Sequence, residues 1–154
     1  MSGEEWFDEV TVADLAIPDQ MIGVASTADG FPGVDGVLGL GPSDLSDGTV
    51  ASMPGPIPTV LENLFNLKMI PHESLGVYFV PASEQNSNGM LTFGGADESF
   101  ITSPIHCVPI TTTSPASKYW GFDMSITYGG NTILSTNPGI IDTGTIYLYL
   151  ASGK

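Results

Sequence analysis

The sequence contains no arginine, and its only basic side chains apart from two histidines are Lys68, Lys118 and Lys154. Seventeen acidic residues face these three, so the formal net charge is -14 at pH 7. Affinity for nucleic acid comes mainly from Lys and Arg side chains that neutralise phosphates, so this deficit argues against a nucleic-acid partner. Protonation of the carboxylates relieves their mutual repulsion, so the composition fits a protein that works in acid. A requirement for solubility explains the excess of acidic residues at least as well.

Cysteine and long apolar runs are also scarce. Cys107 is the only cysteine, so no internal disulfide is possible, and we interpret it as a small buried hydrophobic residue. Apolar stretches such as residues 33–42 are short and interrupted by Gly, Pro or Asp, so we expect no transmembrane helix and no membrane partner. Residues 1–8 are acidic and polar where an export signal would be basic and then apolar, so we expect no signal peptide in this sequence.

Glycine (19 residues) and proline (12 residues) are spread along the chain, where they separate short runs rich in Val, Ile, Thr, Phe and Tyr. This pattern predicts an all-β, mainly antiparallel fold with one or two short helices. Gly129 and Gly130 predict a two-residue hairpin turn, because glycine supplies the positive φ angles. The predicted strands are 6–12, 20–25, 36–40, 76–80, 89–93, 106–109, 119–128, 131–134, 139–142 and 146–150.

One segment, residues 57–67, has helical periodicity. Its apolar residues recur at spacings of three and four, which predicts a short amphipathic helix with Pro58 in the first turn and Thr59 as a polar starting residue. The polar stretches 83–88 and 111–117 are predicted to be surface loops. Five aromatic side chains are interpreted as core residues: Trp6, Phe65, Phe79, Phe93 and Trp120.

The segment 139–145 carries the strongest chemical signal. An apolar strand ends there on Asp142, which a hydroxyl residue and a glycine follow. Such a strand delivers a carboxylate to the floor of a cleft, and Gly144 permits a tight turn that brings backbone N–H groups close to it. The hydroxyls of Thr143 and Thr145 can bond across the site. Taken alone, these residues are also typical of a strand that ends in an Asp-containing turn.

The same segment resembles the Asp-Thr-Gly signature of the pepsin family of aspartic endopeptidases. Other segments resemble family motifs and occur in the family's order. Their residues are most similar to those of secreted basidiomycete members. These segments are the strand pair after the substrate-covering flap (6–25), the hydrophobic-hydrophobic-Gly strand of the first lobe (35–41), the helix after it (57–67), the GxLTFGGxD hairpin (89–97) and the Tyr-Trp pair before the second catalytic strand (119–120).

The resemblance implies an incomplete pepsin-like acid protease fold. Residues 1–110 would form the later part of the N-terminal lobe and the inter-lobe connection, and residues 111–154 the early part of the C-terminal lobe. Asp142 would be catalytic, and Thr143, Gly144 and Thr145 would complete its substrate-binding loop. The family further implies an extracellular enzyme that acts on peptides or proteins without a cofactor.

The resemblance fails at the second catalytic acid. Pepsin-type catalysis needs two carboxylates that share a proton, but no second Asp-Thr-Gly or Asp-Ser-Gly occurs, and Asp35 belongs to a different motif. We therefore expect little or no proteolysis by this chain alone. Two alternatives stay open: a non-catalytic descendant that binds peptides or another protein, and a homodimer that pairs Asp142 with its symmetry mate. The oligomeric state is not predicted.

No other motif indicates a metal or nucleotide site. The glycines of residues 34–41 are not followed by Gly-Lys-Ser/Thr, which argues against a nucleotide. Asp44 and Asp47 lack the ligand alternation of an EF-hand, and His72 and His106 have no partner at metal spacing. We expect no metal and no cofactor.

Overall fold

The computed structural model describes residues 2–30, 33–81, 83 and 89–151, so most of the predicted loop 83–88 lies outside the described residues. The chain divides into two compact units, Met1–Ile105 (unit 1) and His106–Lys154 (unit 2). The described strands form three separate two-stranded antiparallel sheets. The predicted antiparallel class is therefore confirmed, whereas the assignment of 1–110 and 111–154 to two lobes stays a prediction.

The described residues of unit 1 include two antiparallel strand pairs and one helix. Strands β1 (Ser2–Val12) and β2 (Leu15–Thr27) are joined by a two-residue turn, and β3 (Leu75–Phe79) pairs with β4 (Gly89–Phe93). Helix α1 (Val60–Asn66) lies between the strand pairs in sequence, and single 3-10 turns occur at Ser43–Ser46 and Glu98–Phe100. The core is a cluster of aliphatic residues from β2, α1 and the segment after α1: Ile17, Val60, Leu61, Leu64 and Ile70.

Helix α1 begins at a capping box. The Thr59 hydroxyl accepts a hydrogen bond from the Glu62 N–H at 3.2 Å, and the Glu62 carboxylate accepts one from the Thr59 N–H at 2.8 Å. Thr59 is thus the N-cap residue, as its polar side chain suggested, and this reciprocal pair satisfies two otherwise unpaired donors. Pro58 precedes the cap and lies outside the helix, not in its first turn.

A buried amide connects β2 to α1. Gln20 is only 5% exposed; its Nε2 donates to the Met21 and Pro58 carbonyls at 3.2 Å each, and its Oε1 accepts from Asn63 Nδ2 at 2.9 Å. Because a buried polar group destabilises the fold unless it is hydrogen-bonded, these bonds fix where the helix packs.

Unit 2 is built on one long hairpin. Strand β5 (Gly121–Tyr128) pairs with β6 (Asn131–Ile140), and Gly129 and Gly130 form the turn with φ values of 57° and 80°. Strand β6 continues through Pro138, which merges two predicted strands; a proline is tolerated because both strands of a two-stranded sheet are edges. A 3-10 turn, Ala116–Lys118, precedes β5.

Three predicted strands are absent from the described part of the chain. Segments 36–40, 106–109 and 146–150 join no ladder, because extended backbone becomes a strand only when a second strand pairs with it.

Most of the aromatic side chains that were predicted to lie in the core are exposed: Trp6 by 58%, Phe79 by 63%, Trp120 by 47% and Phe65 by 38%. Phe93 alone of the five packs against the aliphatic cluster.

Cys107 is exposed, which corrects its interpretation as a buried residue. It lies in the segment 106–109, which pairs with no strand in the described part of the chain. Among the described residues, no helix has the length and apolarity needed to cross a bilayer.

Candidate active site

The β5–β6 hairpin positions the predicted catalytic loop. Ile140, the last residue of β6, pairs with Gly121, the first residue of β5. One residue further, the Ile141 N–H donates to the Trp120 carbonyl at 2.9 Å. The backbone is therefore held by strand-like bonds as far as the residue that precedes Asp142.

The Asp142 carboxylate accepts hydrogen bonds from its own loop at both oxygens. The Gly144 N–H donates to Oδ1 at 3.0 Å, and the Thr145 hydroxyl donates to Oδ2 at 2.5 Å. The Thr145 N–H donates to the Asp142 carbonyl at 3.2 Å, which closes the turn. Aspartate followed by a small, permissive residue favours such a turn, so the geometry is local in origin.

These bonds favour the charged form of the carboxylate. The pKa of Asp142 is lowered from 3.8, first by the Thr145 hydroxyl and then by the Gly144 amide, while slight desolvation acts in the opposite direction. Asp142 is exposed within this chain. At pH values above this lowered pKa, the loop presents an ionised carboxylate that can accept a proton or orient a water molecule.

An apolar groove of about 630 Å³ lies beside the loop, within unit 2. Asp142 and Thr145 contribute to its lining, together with side chains from both strands of the hairpin and from the segment after the loop. Tyr147 and Tyr149 from that segment meet edge to face, with ring centroids 6.2 Å apart. The other large apolar side chains of the lining include Met124, Ile126, Leu134 and Leu148.

The structure places the four predicted site residues in one turn. Asp142, Gly144 and Thr145 interact directly, whereas Thr143 is exposed and its side chain donates no hydrogen bond to the carboxylate. No group of three or more His, Cys, Asp or Glu side chains suited to a metal occurs in the described ranges. Sequence reasoning missed the Trp120 carbonyl, whose role is a backbone contact that no residue type signals.

A second feature that the sequence did not reveal is the burial of Thr111. It is 6% exposed, and its hydroxyl donates to Asp123 Oδ1 at 2.8 Å. The run of threonines and serines from 111 to 117 predicted a solvated loop, and polar composition alone does not distinguish a hydroxyl with a protein partner from one with water.

The family model for eukaryotic aspartyl proteases matches residues 1–154. The chain therefore belongs to the aspartyl protease family. It is 52% identical over 154 residues to polyporopepsin of Irpex lacteus, an alignment that covers 98% of this chain and 45% of that protein. It is also 30% identical over 158 residues to chymosin of Camelus dromedarius, covering 97% of this chain and 37% of the relative.

The fold agrees with the sequence similarity. The crystal structure of an aspartic proteinase from Irpex lacteus matches with a TM-score of 0.89 and 51% identity, over 93% of this chain and 43% of that one. The prediction of a pepsin-like fold is confirmed. The chain spans less than half the length of these relatives.

Proposed function

We propose that this chain is part of an aspartic-type endopeptidase and that Asp142 is one of its two catalytic carboxylates. The observation that carries the proposal is the Asp142 carboxylate itself, which sits at a strand end and accepts hydrogen bonds from Gly144 and Thr145. Membership of the aspartyl protease family supports it. Thr143, Gly144 and Thr145 form the rest of the loop that faces the substrate.

The chemistry requires a second carboxylate a few ångströms away, so that the two groups share one proton. The ionised group removes a proton from water as the water attacks the peptide carbonyl, and the protonated group donates to the carbonyl oxygen. The donors on Asp142 lower the energy of its charged form, which suits it to hold negative charge in such a pair.

The substrates are peptides or proteins, and the enzyme acts outside the cell, as the family resemblance implies. The only Asp-Thr-Gly or Asp-Ser-Gly sequence in the 154 residues is the one at Asp142. Without a second acid, this chain alone is expected to have little or no activity, because removing one member of a catalytic unit abolishes most of its rate enhancement.

The test is cleavage of a denatured protein substrate by the 154-residue chain from about pH 2.5 to about pH 7, with and without a transition-state inhibitor of aspartic proteases. Folding is verified first by circular dichroism. No activity from a folded sample agrees with a single carboxylate. Inhibitable acid activity would show that a second carboxylate reaches Asp142, and sedimentation would then detect the homodimer that an Asp142-to-Asp142 pair requires.

The catalytic assignment is tested by Asp142→Asn in a protein that also holds the second acid. This substitution should abolish inhibitable acid proteolysis, whereas Asp29→Asn, which removes one exposed carboxylate in unit 1, should leave it unchanged. Activity that survives Asp142→Asn would disprove the assignment. Peptide binding without any cleavage in such a protein would instead identify a binding descendant of the fold.

A further inference from the structure

The described residues of unit 2 include only three that are buried: Thr111, Ala116 and Gly121. All three lie at the end of the hairpin from which the Asp142 loop starts. The Thr111 N–H donates to the Gly121 carbonyl at 2.9 Å, and Gly121 pairs with Ile140. The best-packed part of the unit is therefore next to the candidate catalytic loop.

The Thr111 side chain has two hydrogen-bonding partners. Its hydroxyl donates to Asp123 Oδ1 at 2.8 Å and accepts from the Thr113 N–H at 3.2 Å. Asp123 lies on β5 opposite Pro138 of β6. The hydroxyl thus attaches the segment before β5 to the strand itself, two residues beyond the backbone bond at Gly121.

We propose that Thr111 is a positioning residue for Asp142: its buried hydroxyl, bonded to Asp123, fixes the start of β5 and thereby the loop that leaves β6. The connection runs through the backbone. Thr111 donates hydrogen bonds to the Gly121 carbonyl and the Asp123 carboxylate. Trp120 precedes Gly121, and its carbonyl accepts from the N–H of Ile141, the residue before Asp142. A shift of the β5 start would therefore move the anchor of the loop.

The functional meaning of this role rests on the proposed catalytic function of Asp142, but its test does not use activity. The first readout is the carboxyl carbon chemical shift of Asp142 during an acid titration of the 154-residue chain. The second is the hydrogen-exchange rate of the Ile141 amide, divided by the rate of slowly exchanging amides in the distal half of the same hairpin. A loss of overall stability accelerates the distal amides at least as much as the Ile141 amide, so by itself it does not raise that ratio.

Thr111→Val keeps the shape of the side chain and removes the hydroxyl. We expect the pKa of Asp142 to rise toward its ordinary value, because a loop that has lost its anchor spends less time in the hydrogen-bonded turn, and the exchange ratio to rise roughly tenfold. Thr111→Ser retains a hydroxyl and should restore both readouts. Thr127→Val, the same change at an exposed position of β5, should alter neither.

Asp123 provides a second variant in case Thr111→Val does not fold. Asp123→Ala removes the acceptor from an exposed position, and the exchange ratio should rise as with Thr111→Val. Asp123→Asn removes the charge but keeps an acceptor oxygen, so it should leave the ratio unchanged. The proposal is overturned if Thr111→Val and Asp123→Ala leave the ratio and the Asp142 titration as in the parent, or if Thr127→Val shifts them equally.

Discussion

Gly121 lies against the backbone carbonyl of Ala116. A Cβ atom at Gly121 would be 2.3 Å from that oxygen and 2.9 Å from its carbon, closer than side chains approach backbone. Both residues are buried, and Gly121 is next to Trp120, whose carbonyl holds the backbone before Asp142. Glycine at 121 therefore permits the close packing on which the loop is anchored.

Gly121→Ala should reduce the free energy of unfolding by about 1–3 kcal/mol, because rigid backbone has to move to admit the methyl group. Chemical denaturation monitored by Trp fluorescence measures the change. Gly95→Ala is the matched control, since a Cβ there meets nothing within 4 Å. It should change stability by no more than about 0.5 kcal/mol. Equal effects of the two substitutions would contradict the close-packing explanation.

Thr145→Val should raise the pKa of Asp142, because the hydroxyl is the largest cause of its lowered value. A lowered pKa means that the folded state binds the proton more weakly than the unfolded chain. The resulting stabilisation is present above the ordinary pKa of 3.8 and is lost as the pH falls through the lowered pKa.

The parent chain should therefore lose more stability than Thr145→Val when the pH falls below 3.8. Denaturation at a series of pH values, together with a carboxyl titration by NMR, measures both effects. Thr143→Val serves as the control, because Thr143 does not donate to the carboxylate. Identical titration curves for Thr145→Val and the parent would be incompatible with this interpretation.

Gln20→Leu should destabilise unit 1 by about 1–3 kcal/mol, because it leaves the Pro58 carbonyl and the Asn63 amide without their buried partner. A double-mutant cycle with Asn63→Ala isolates the Gln20–Asn63 bond. The two substitutions should be coupled by about 0.5–1.5 kcal/mol. Strict additivity would mean that the bond contributes nothing to stability.

Lys68→Gly should stabilise the protein by about 0.5–1 kcal/mol, the cost of a left-handed conformation less the backbone entropy that glycine loses. Lys68 follows α1 with a φ of 59°, a left-handed conformation that is costly for a residue with a side chain. The Lys68 and Met69 amides donate to the Phe65 and Leu64 carbonyls, a Schellman arrangement in which glycine is preferred.

Asn66→Gly is the opposite control for Lys68→Gly. Asn66 is the last residue of α1, with helical backbone, so glycine there should destabilise the protein by roughly 0.3 kcal/mol. Thermal unfolding followed by circular dichroism compares the two variants. A loss of stability in both would show that the conformation of Lys68 is not strained.

Features that depend on neighbouring residues could be predicted from the sequence. The Thr59 cap and the Gly129–Gly130 turn are set by hydrogen bonds and φ preferences within a few residues. The Asp142 loop belongs to the same group, since its donors, Gly144 and Thr145, lie two and three residues away. Family motifs added the pepsin-like fold, which the structural similarity confirms.

Burial and strand pairing depended on residues far apart in sequence. The segment 146–150 has strong β propensity but joins no ladder in the described chain, and Trp6 and Phe79 are exposed, because propensity and hydrophobicity do not specify a partner. Thr111 shows the reverse case: a polar residue in an apparent loop is buried because Asp123 and Gly121 lie against it.

The sequence by itself determined the local turns, the helix cap and the family, whose signals lie in short segments. Only the tertiary structure decided which side chains are buried and what anchors Asp142, since both require contacts that chain spacing does not encode.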